Sequence, residues 1–291
     1  MIHVVTRPRP PRLWITEFAR AYAPELVAEV RYFDHDRLLS LAQWPEARAW
    51  IFSVDVRAEQ VRHKLLAIEA RLRATNQRVL NAPSSSLPRF DLLRRLHADG
   101  INAFQAHASR PSEASSWRYP IFVRSRTDHD GSWTQLLHSE EDYRRAIAAS
   151  PRLVSREAMV VEFCDTRDEH QLYCKRSVMR VGDRFVPRHA LYNPSWVTKT
   201  SGAIDADRAA EELRFVEAGI VPPEVVAAFD AAGVQYGRVD YGLLRGRPQI
   251  WEININPAVV PPLSSIAPLR HEAQRRSAAG VRSALAALAR E

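Results

Sequence analysis

The sequence predicts a mixed fold, a small parallel α/β unit followed by a larger α+β region built on antiparallel strands. Three observations carry that expectation. Over residues 1–80 short apolar runs alternate with helical patterns, the arrangement that gives a parallel sheet with crossover helices. Beyond residue 158 strand-like runs follow one another through tight-turn signals, as hairpins do. Between the two, 81-NAPSSSLP-88 is loop by composition. The expected boundaries are 1–85 for the α/β unit and 86–291 for the remainder, with one lobe over 86–160 and a second over 161–291. Two such lobes make a cleft.

Taken in order, Ile2–Thr6 is a short apolar strand and 14-WITEFARAY-22 is helical. Strands are expected over 27–33 and 49–54. Residues 57–74 set Val61, Leu65, Ile68 and Leu72 at helical spacing, and 78–81 is a further short strand. Past the boundary loop, 89-RFDLLRRLHADG-100 is a helix stopped by Gly100. The run 106-AHASRPSEASSWRYP-120 reads as a loop and 120-PIFVRS-125 as a strand. A loop, 125-SRTDHDGSW-133, leads to the helix 139-SEEDYRRAIAAS-150, which Ser139 and Asp142 open in the manner of a capping box. Strands follow at 158–164, 170–181 and 184–192, the last two joined through Gly182 and Asp183. A polar loop, 193-NPSWVTKTSGAID-205, precedes helices at 206–218 and 222–232, and Gly233 ends the second. Strands 237–244 and 248–254 flank a turn at Arg245, Gly246 and Arg247, and a helix fills 270–290.

Composition narrows the function classes. The chain of 291 residues is 46% apolar, enough for a real core and against global disorder. No apolar run approaches a membrane span, and the apolar start of MIHVVTRPRPPRLW is too short for a signal-peptide core, so a cytoplasmic protein without a membrane partner is expected. Cys164 and Cys174 lack a zinc-like spacing and read as small buried apolar groups. The net charge of +7 is spread among acids, as in 57-RAEQVRHKLLAIEARLRA-74, which reads as a solvated face; nucleic acid is not the expected partner. The excess does suit a site that handles anionic phosphates.

Polar residues inside strands need partners. In 236-YGRVDYGLLRGRPQIWEININPAVVPP-262, Asp240 and Glu252 lie on two strands joined by a turn, where cross-strand neighbours come within about 5 Å. Asn254 shares the Glu252 face and Arg238 the Asp240 face, by the period of two. The set reads either as a surface ion-paired hairpin or as hard oxygen ligands for magnesium beside a guanidinium that meets phosphate. A second constellation, 120-PIFVRSRTDHDGS-132, ends a strand in Arg124 and follows it with His129, Gly131 and Ser132, a loop whose N–H groups could cradle phosphate. A third, 160-VVEFC-164 followed by Asp168 and Glu169, could offer backbone groups to a base edge and a carboxylate to ribose.

In this order the three resemble the ATP-grasp superfamily, which includes D-alanine–D-alanine ligase, glutathione synthetase and RimK-type ligases. The resemblance covers about residues 81–262 and is strongest in 238-RVD-240 with 252-EIN-254 ahead of Pro257. It implies an ATP-grasp fold preceded by the small α/β domain. It implies ATP and Mg²⁺ as cofactors, with Asp240, Glu252 and Asn254 as metal ligands and Arg238 as the catalytic cation on the acyl phosphate. Arg124 and Arg89 stand where the family has lysines on ATP phosphates; an arginine fork also serves there. Glu162, Phe163 and Cys164 correspond to the adenine hinge, Glu169 or Asp168 to the ribose acid, and Lys175 or Lys199 to a further phosphate contact. The phosphate loop, with His129, Gly131 and Ser132, carries one glycine where the family has several.

The activity implied is an ATP-dependent carboxylate–amine ligase acting through an acyl phosphate. The alternatives are an ATP-grasp kinase or an inactive regulatory protein. The partners implied are small-molecule or peptide carboxylates and amines. Arg176, Arg180, Arg188 and His189 suggest an acidic substrate, or are surface and ATP-facing residues. Many relatives are dimers, so a homodimer is one expectation.

Overall fold

The computed structural model describes residues 1–9, 13–54, 59–128, 131–198, 205–257 and 268–290. The first unit runs β1 (Ile2–Thr6), α1 (Trp14–Tyr22), β2 (Val30–Asp34), α2 (His35–Ser40), β3 (Ala49–Phe52), α3 (Glu59–Ala74) and β4 (Val79–Leu80). Its strands form a parallel sheet in the order β2-β1-β3-β4. Two elements depart from the sequence expectation. The first half of the strand expected at 27–33 is instead a 3-10 helix, Pro24–Glu29, because Pro24 fits its first position and the apolar residues there pack one-sidedly, with Leu26 inward. Helix α2 is too short to show a period; Asp34 starts it by accepting a hydrogen bond from Arg37 N at 2.8 Å.

The middle unit holds α4 (Arg89–Ala98), β5 (Ala106–Ala108), β6 (Ile121–Ser125), α5 (Glu140–Ala149) and β7 (Ala158–Glu162). Its three strands form an antiparallel sheet, β5-β7-β6. Strand β5 lies in the run expected to be loop. Alanine has little strand propensity, and the segment is extended only because it pairs with the free edge of β7, Ala106 opposite Val161. Ser139 caps α5, its hydroxyl accepting from Asp142 N at 3.1 Å.

The last unit contains β8 (Tyr173–Val181), β9 (Arg184–Asn193), α6 (Ala206–Ala218), α7 (Pro223–Ala232), β10 (Tyr236–Leu244), β11 (Arg247–Asn254) and α8 (Pro268–Arg290). Its strands form an antiparallel sheet, β11-β10-β8-β9. Strand β8 starts at Tyr173, three residues later than expected, because Asp168 Oδ1 accepts from His170 N and Leu172 N, both at 2.9 Å, and folds those residues into a turn.

The units share their cores. Ile2, Val4, Ile15 and Phe18 of the first pack with Met179, Val181 and Tyr236 of the four-stranded sheet and with Val281 and Leu285 of α8. The mixed architecture, one parallel sheet and two antiparallel ones, is as the sequence predicts.

Candidate active site

The four-stranded sheet builds the floor of the site. One row of residues crosses it from edge to edge: Glu252 opposite Asp240, Asp240 opposite Ser177, Ser177 opposite His189. Two bulges shape that row. Trp251 is the extra residue between the Glu252–Asp240 and Ile250–Tyr241 pairs, and Arg188 the extra residue between His189–Ser177 and Pro187–Val178. The first bulge lets the adjacent residues Trp251 and Glu252 both line one cavity, which regular alternation would forbid.

That cavity, about 190 Å³, opens between the three-stranded sheet and the floor. Its walls are apolar, with Leu93, Phe104, Phe122, Val161 and Trp251 among them. Trp196, from the polar loop, packs on Phe122 and Phe163 at centroid distances of 4.9 and 5.9 Å. Its polar end carries Arg124, Gly131, Ser132, Lys175, Asp240 and Glu252, and Glu162, Phe163 and Cys164 border it. Eight residues singled out in the three sequence constellations therefore meet in one cavity, together with Lys175.

The carboxylates are tied to cations. Glu252 Oε2 accepts from Arg89 Nη2 at 3.0 Å and from Arg124 Nη2 at 3.3 Å. Asp240 accepts from Arg238 through both oxygens, at 2.8 and 3.0 Å, and from Ser177 Oγ at 2.7 Å; Lys175 Nζ lies 3.7 Å away. Burial opposes the charge on Asp240, but Arg238 and then Lys175 hold its carboxyl well below the usual carboxylate range. Four cations face two carboxylates, so the cluster attracts further anionic groups.

Two buried polar atoms in the cavity, Arg124 Nε and Thr166 Oγ1, have no hydrogen-bond partner among the described residues. Such atoms are costly without a ligand or water. Among the described residues no cluster of three or more His, Cys, Asp or Glu forms a metal cage. The two carboxylates, Asp240 and Glu252, nevertheless suit magnesium, which keeps waters and substrate phosphates as its other ligands.

At the hinge, Glu162 N donates to Gln105 O at 3.0 Å and Phe163 N to Pro120 O at 2.8 Å. The Glu162 carboxylate is taken by Gln105 N, Arg118 N and His107, and despite burial those bonds keep its pKa below the ordinary range. With its carboxylate and its N–H both taken, what Glu162 can offer a base is its backbone carbonyl. Burial pushes the Cys164 thiol up to about 11, which makes it a neutral wall rather than a nucleophile.

Other residues singled out in the sequence lie elsewhere. Asp168 spends Oδ1 on its own turn and pairs with Arg208 at 3.1 Å, and neither it nor Glu169, which is largely exposed, lines the cavity. Asn254 borders a second cavity, beside Asn81 and Arg89, and its Oδ1 accepts from Asn256 N at 2.9 Å. His129 and Lys199 fall outside the described residues. Of the basic residues read as substrate-facing, Arg176 pairs with Glu211 and Arg180 with Asp230. Sequence reasoning missed Thr166, Trp196 and Trp251. The sequence trace of Trp251 is Gly242, a glycine inside a strand, where a Cβ would lie 2.6 Å from the Trp251 ring.

The sequence matches no protein-family model and no curated protein. Solved structures match along the whole chain. The ATP-grasp ligase PsnB, complexed with precursor peptide PsnA2 and AMPPNP, has a TM-score of 0.58 at 15% identity, covering 100% of this chain and 98% of its own. The RimK domain ATP-grasp protein from Sphaerobacter thermophilus has a TM-score of 0.53 at 14% identity, with coverages of 99% and 100%. The D-alanine–D-alanine ligase from Coxiella burnetii has a TM-score of 0.53 at 13% identity, with coverages of 100% and 94%.

Proposed function

The chain has the ATP-grasp fold, and from that premise we propose that it is an ATP-dependent carboxylate–amine ligase acting through an acyl phosphate. The observation that carries this reading is the cross-strand pair Asp240–Glu252. It sits at the polar end of an apolar cavity, with Arg124, Lys175 and the Gly131–Ser132 backbone around it. The proteins named above share the fold; one of them was solved with a precursor peptide, which supports a peptide or small-molecule carboxylate here.

In this reading the apolar walls hold adenine, with the backbone of Glu162 to Cys164 along its edge. Arg124 and Lys175 hold the phosphates, with Arg89 behind them. Asp240 and Glu252 would hold Mg²⁺, which when bound would neutralise charge on the transferred phosphoryl group, and Asn254 would join them only by giving up its bond from Asn256 N and turning from the second cavity. A carboxylate oxygen of the substrate attacks the γ-phosphorus and ADP leaves. An amine then attacks the acyl carbon, and phosphate leaves with the bonding electron pair. Arg238, braced on Asp240, has donors left for the oxyanion that develops on the acyl oxygen. Trp196, with Val197 and Thr198, excludes water that would hydrolyse the acyl phosphate.

The test is ADP release with Mg²⁺ and pools of carboxylates and amines, with product analysis for a new amide. A Glu252→Ala variant that keeps its circular dichroism and cooperative melting is expected to lose turnover by about 100-fold or more. Full activity in that folded variant would remove Glu252 from the chemistry. A stable phosphorylated product in place of an amide would replace the ligase by a kinase.

A further inference from the structure

Enclosed arginines in this protein are normally matched to acids. Arg180, on β8, donates to Asp230, Gly182 O and Val234 O. Arg270 pairs with Glu212 at 2.6 Å, and Arg89 with Glu252 at 3.0 Å. Arg188 differs. It is the bulged residue of β9, packed where α1, α8 and the four-stranded sheet meet. Its Nη1 donates to Ser277 Oγ at 3.0 Å, and that hydroxyl in turn donates to Pro187 O. Its guanidinium sits 5.8 Å from the Phe18 ring centroid. Among the described residues no carboxylate lies within ion-pair distance of it.

Its neighbours make the imbalance larger. Burial and then the charge of Arg238 bring the Arg188 pKa down to about 10, leaving it charged at neutral pH. Arg238 is already committed to Asp240. His189 cannot compensate, because burial and Arg238 hold it neutral. Ser177 must donate to the Asp240 carboxylate and therefore accepts from His189 Nε2, 2.8 Å away. Tyr22 and Gln274, bonded to each other, stand on the same side and add a hydroxyl and an amide. The unused N–H groups of Arg188 are not sealed in, since none belongs to the buried unpartnered atoms and the residue is partly exposed. Two guanidinium groups thus repel each other, and of the two only Arg238 holds a carboxylate, while Arg188 keeps part of its surface exposed. An enclosed cation without a counter-charge is costly, and an arriving anion relieves that cost.

We propose that Arg188 anchors the carboxylate-bearing substrate, gripping it near Arg238 and outside the lining of the nucleotide cavity. The proposal rests on the ligase reading for the class of anion, since a carboxylate is what that reaction consumes. A guanidinium fork with four unused N–H donors suits a carboxylate in two-point contact. Arg188 does not line the nucleotide cavity, so the acid would be gripped by a residue that the nucleotide does not touch. Tyr22 and Gln274 then place part of the specificity surface on α1 and α8.

Phenylglyoxal modification of the wild-type protein, mapped by peptide mass spectrometry, tests this directly. The probes are Mg-AMPPNP alone, then Mg-AMPPNP with succinate, L-glutamate or the dipeptide Glu-Glu. Arg188 is expected to be modified in the free protein, to stay modified under Mg-AMPPNP alone, and to be protected by at least one carboxylate. With the protecting acid as substrate, Arg188→Gln is expected to raise its KM at least about tenfold and leave the KM for ATP unchanged, with partial rescue in Arg188→Lys. An Arg188 that is never modified, is modified equally under every carboxylate, or is protected by Mg-AMPPNP alone overturns the proposal. Arg124 reports separately on the nucleotide: its failure to be protected by Mg-AMPPNP would count against the ATP site and leave the Arg188 result to stand by itself.

Discussion

Asn81 does at the scale of one residue what no pattern announces. It sits at φ +56°, a region asparagine tolerates better than most side chains. Its Oδ1 accepts from Gln235 N and Tyr236 N, both at 2.9 Å, and its Nδ2 donates to Phe52 O at 3.2 Å and Tyr236 O at 2.8 Å. One buried amide thereby ties the end of β3 to the start of β10. Asn81→Ala leaves those backbone groups unpaired and forces alanine into the left-handed region. A loss of about 2–4 kcal/mol is expected in chemical denaturation. A loss below about 1 kcal/mol would show that water replaces the amide at little cost. In the sequence Asn81 opened a stretch read as loop, because side chain-to-backbone bonds across 155 residues leave no local trace.

At the scale of elements, helix ends and bulges do the positioning. Gly233 ends α7 at φ +64°, and a Cβ there would lie 2.3 Å from Ser85 O. Gly246 turns β10 into β11 at φ +80° with nothing within 4 Å. Both glycines serve a left-handed turn, but only the first also serves a close approach. Gly246→Ala is expected to cost about 1 kcal/mol and Gly233→Ala clearly more, because backbone must move as well. Thermal melting of the two variants checks the order, and equal losses would mean that the boundary loop yields freely. Most strands and helices were legible from periodicity, down to the Ser139 cap. Strand β5 was not, since three weak residues become a strand only by pairing with β7. Neither bulge was legible, because alternation is read on the assumption that it is unbroken.

At the scale of the molecule, the first sheet and the last helix share one core, and a titratable group sits beside it. His3 is buried against Phe33 and Trp50, with ring centroids 5.0 and 4.6 Å away. Burial, and then the charge of Arg31, lower its pKa from 6.5 to about 4. The unfolded chain therefore binds a proton at His3 that the folded one refuses between those two values. Stability from this group is complete above pH 6.5 and falls as the pH drops towards 4, by roughly 2–3 kcal/mol. Urea unfolding across pH 4–7 reads the slope, and a folded His3→Phe variant is expected to flatten it. Unchanged pH dependence in that variant would assign the slope to His189, which burial likewise holds neutral, because the depressed carboxylates Glu69 and Glu162 act only below the ordinary carboxylate range.

The sequence by itself determined the order and kind of most elements and the residue types from which the candidate site is assembled, Arg238, Asp240, Glu252 and Asn254 above all. These follow from interactions within a few residues, which periodicity and turn chemistry record. Only the tertiary structure decided which of those side chains meet. It set Arg89 against Glu252 across 163 positions, turned Asp168 to its own backbone, brought Trp251 into the cavity through a bulge, and left Arg188 partly buried with no acid beside it among the described residues. The physical reason is that partnership between charges depends on sheet register and on the packing of distant elements, neither of which local spacing encodes.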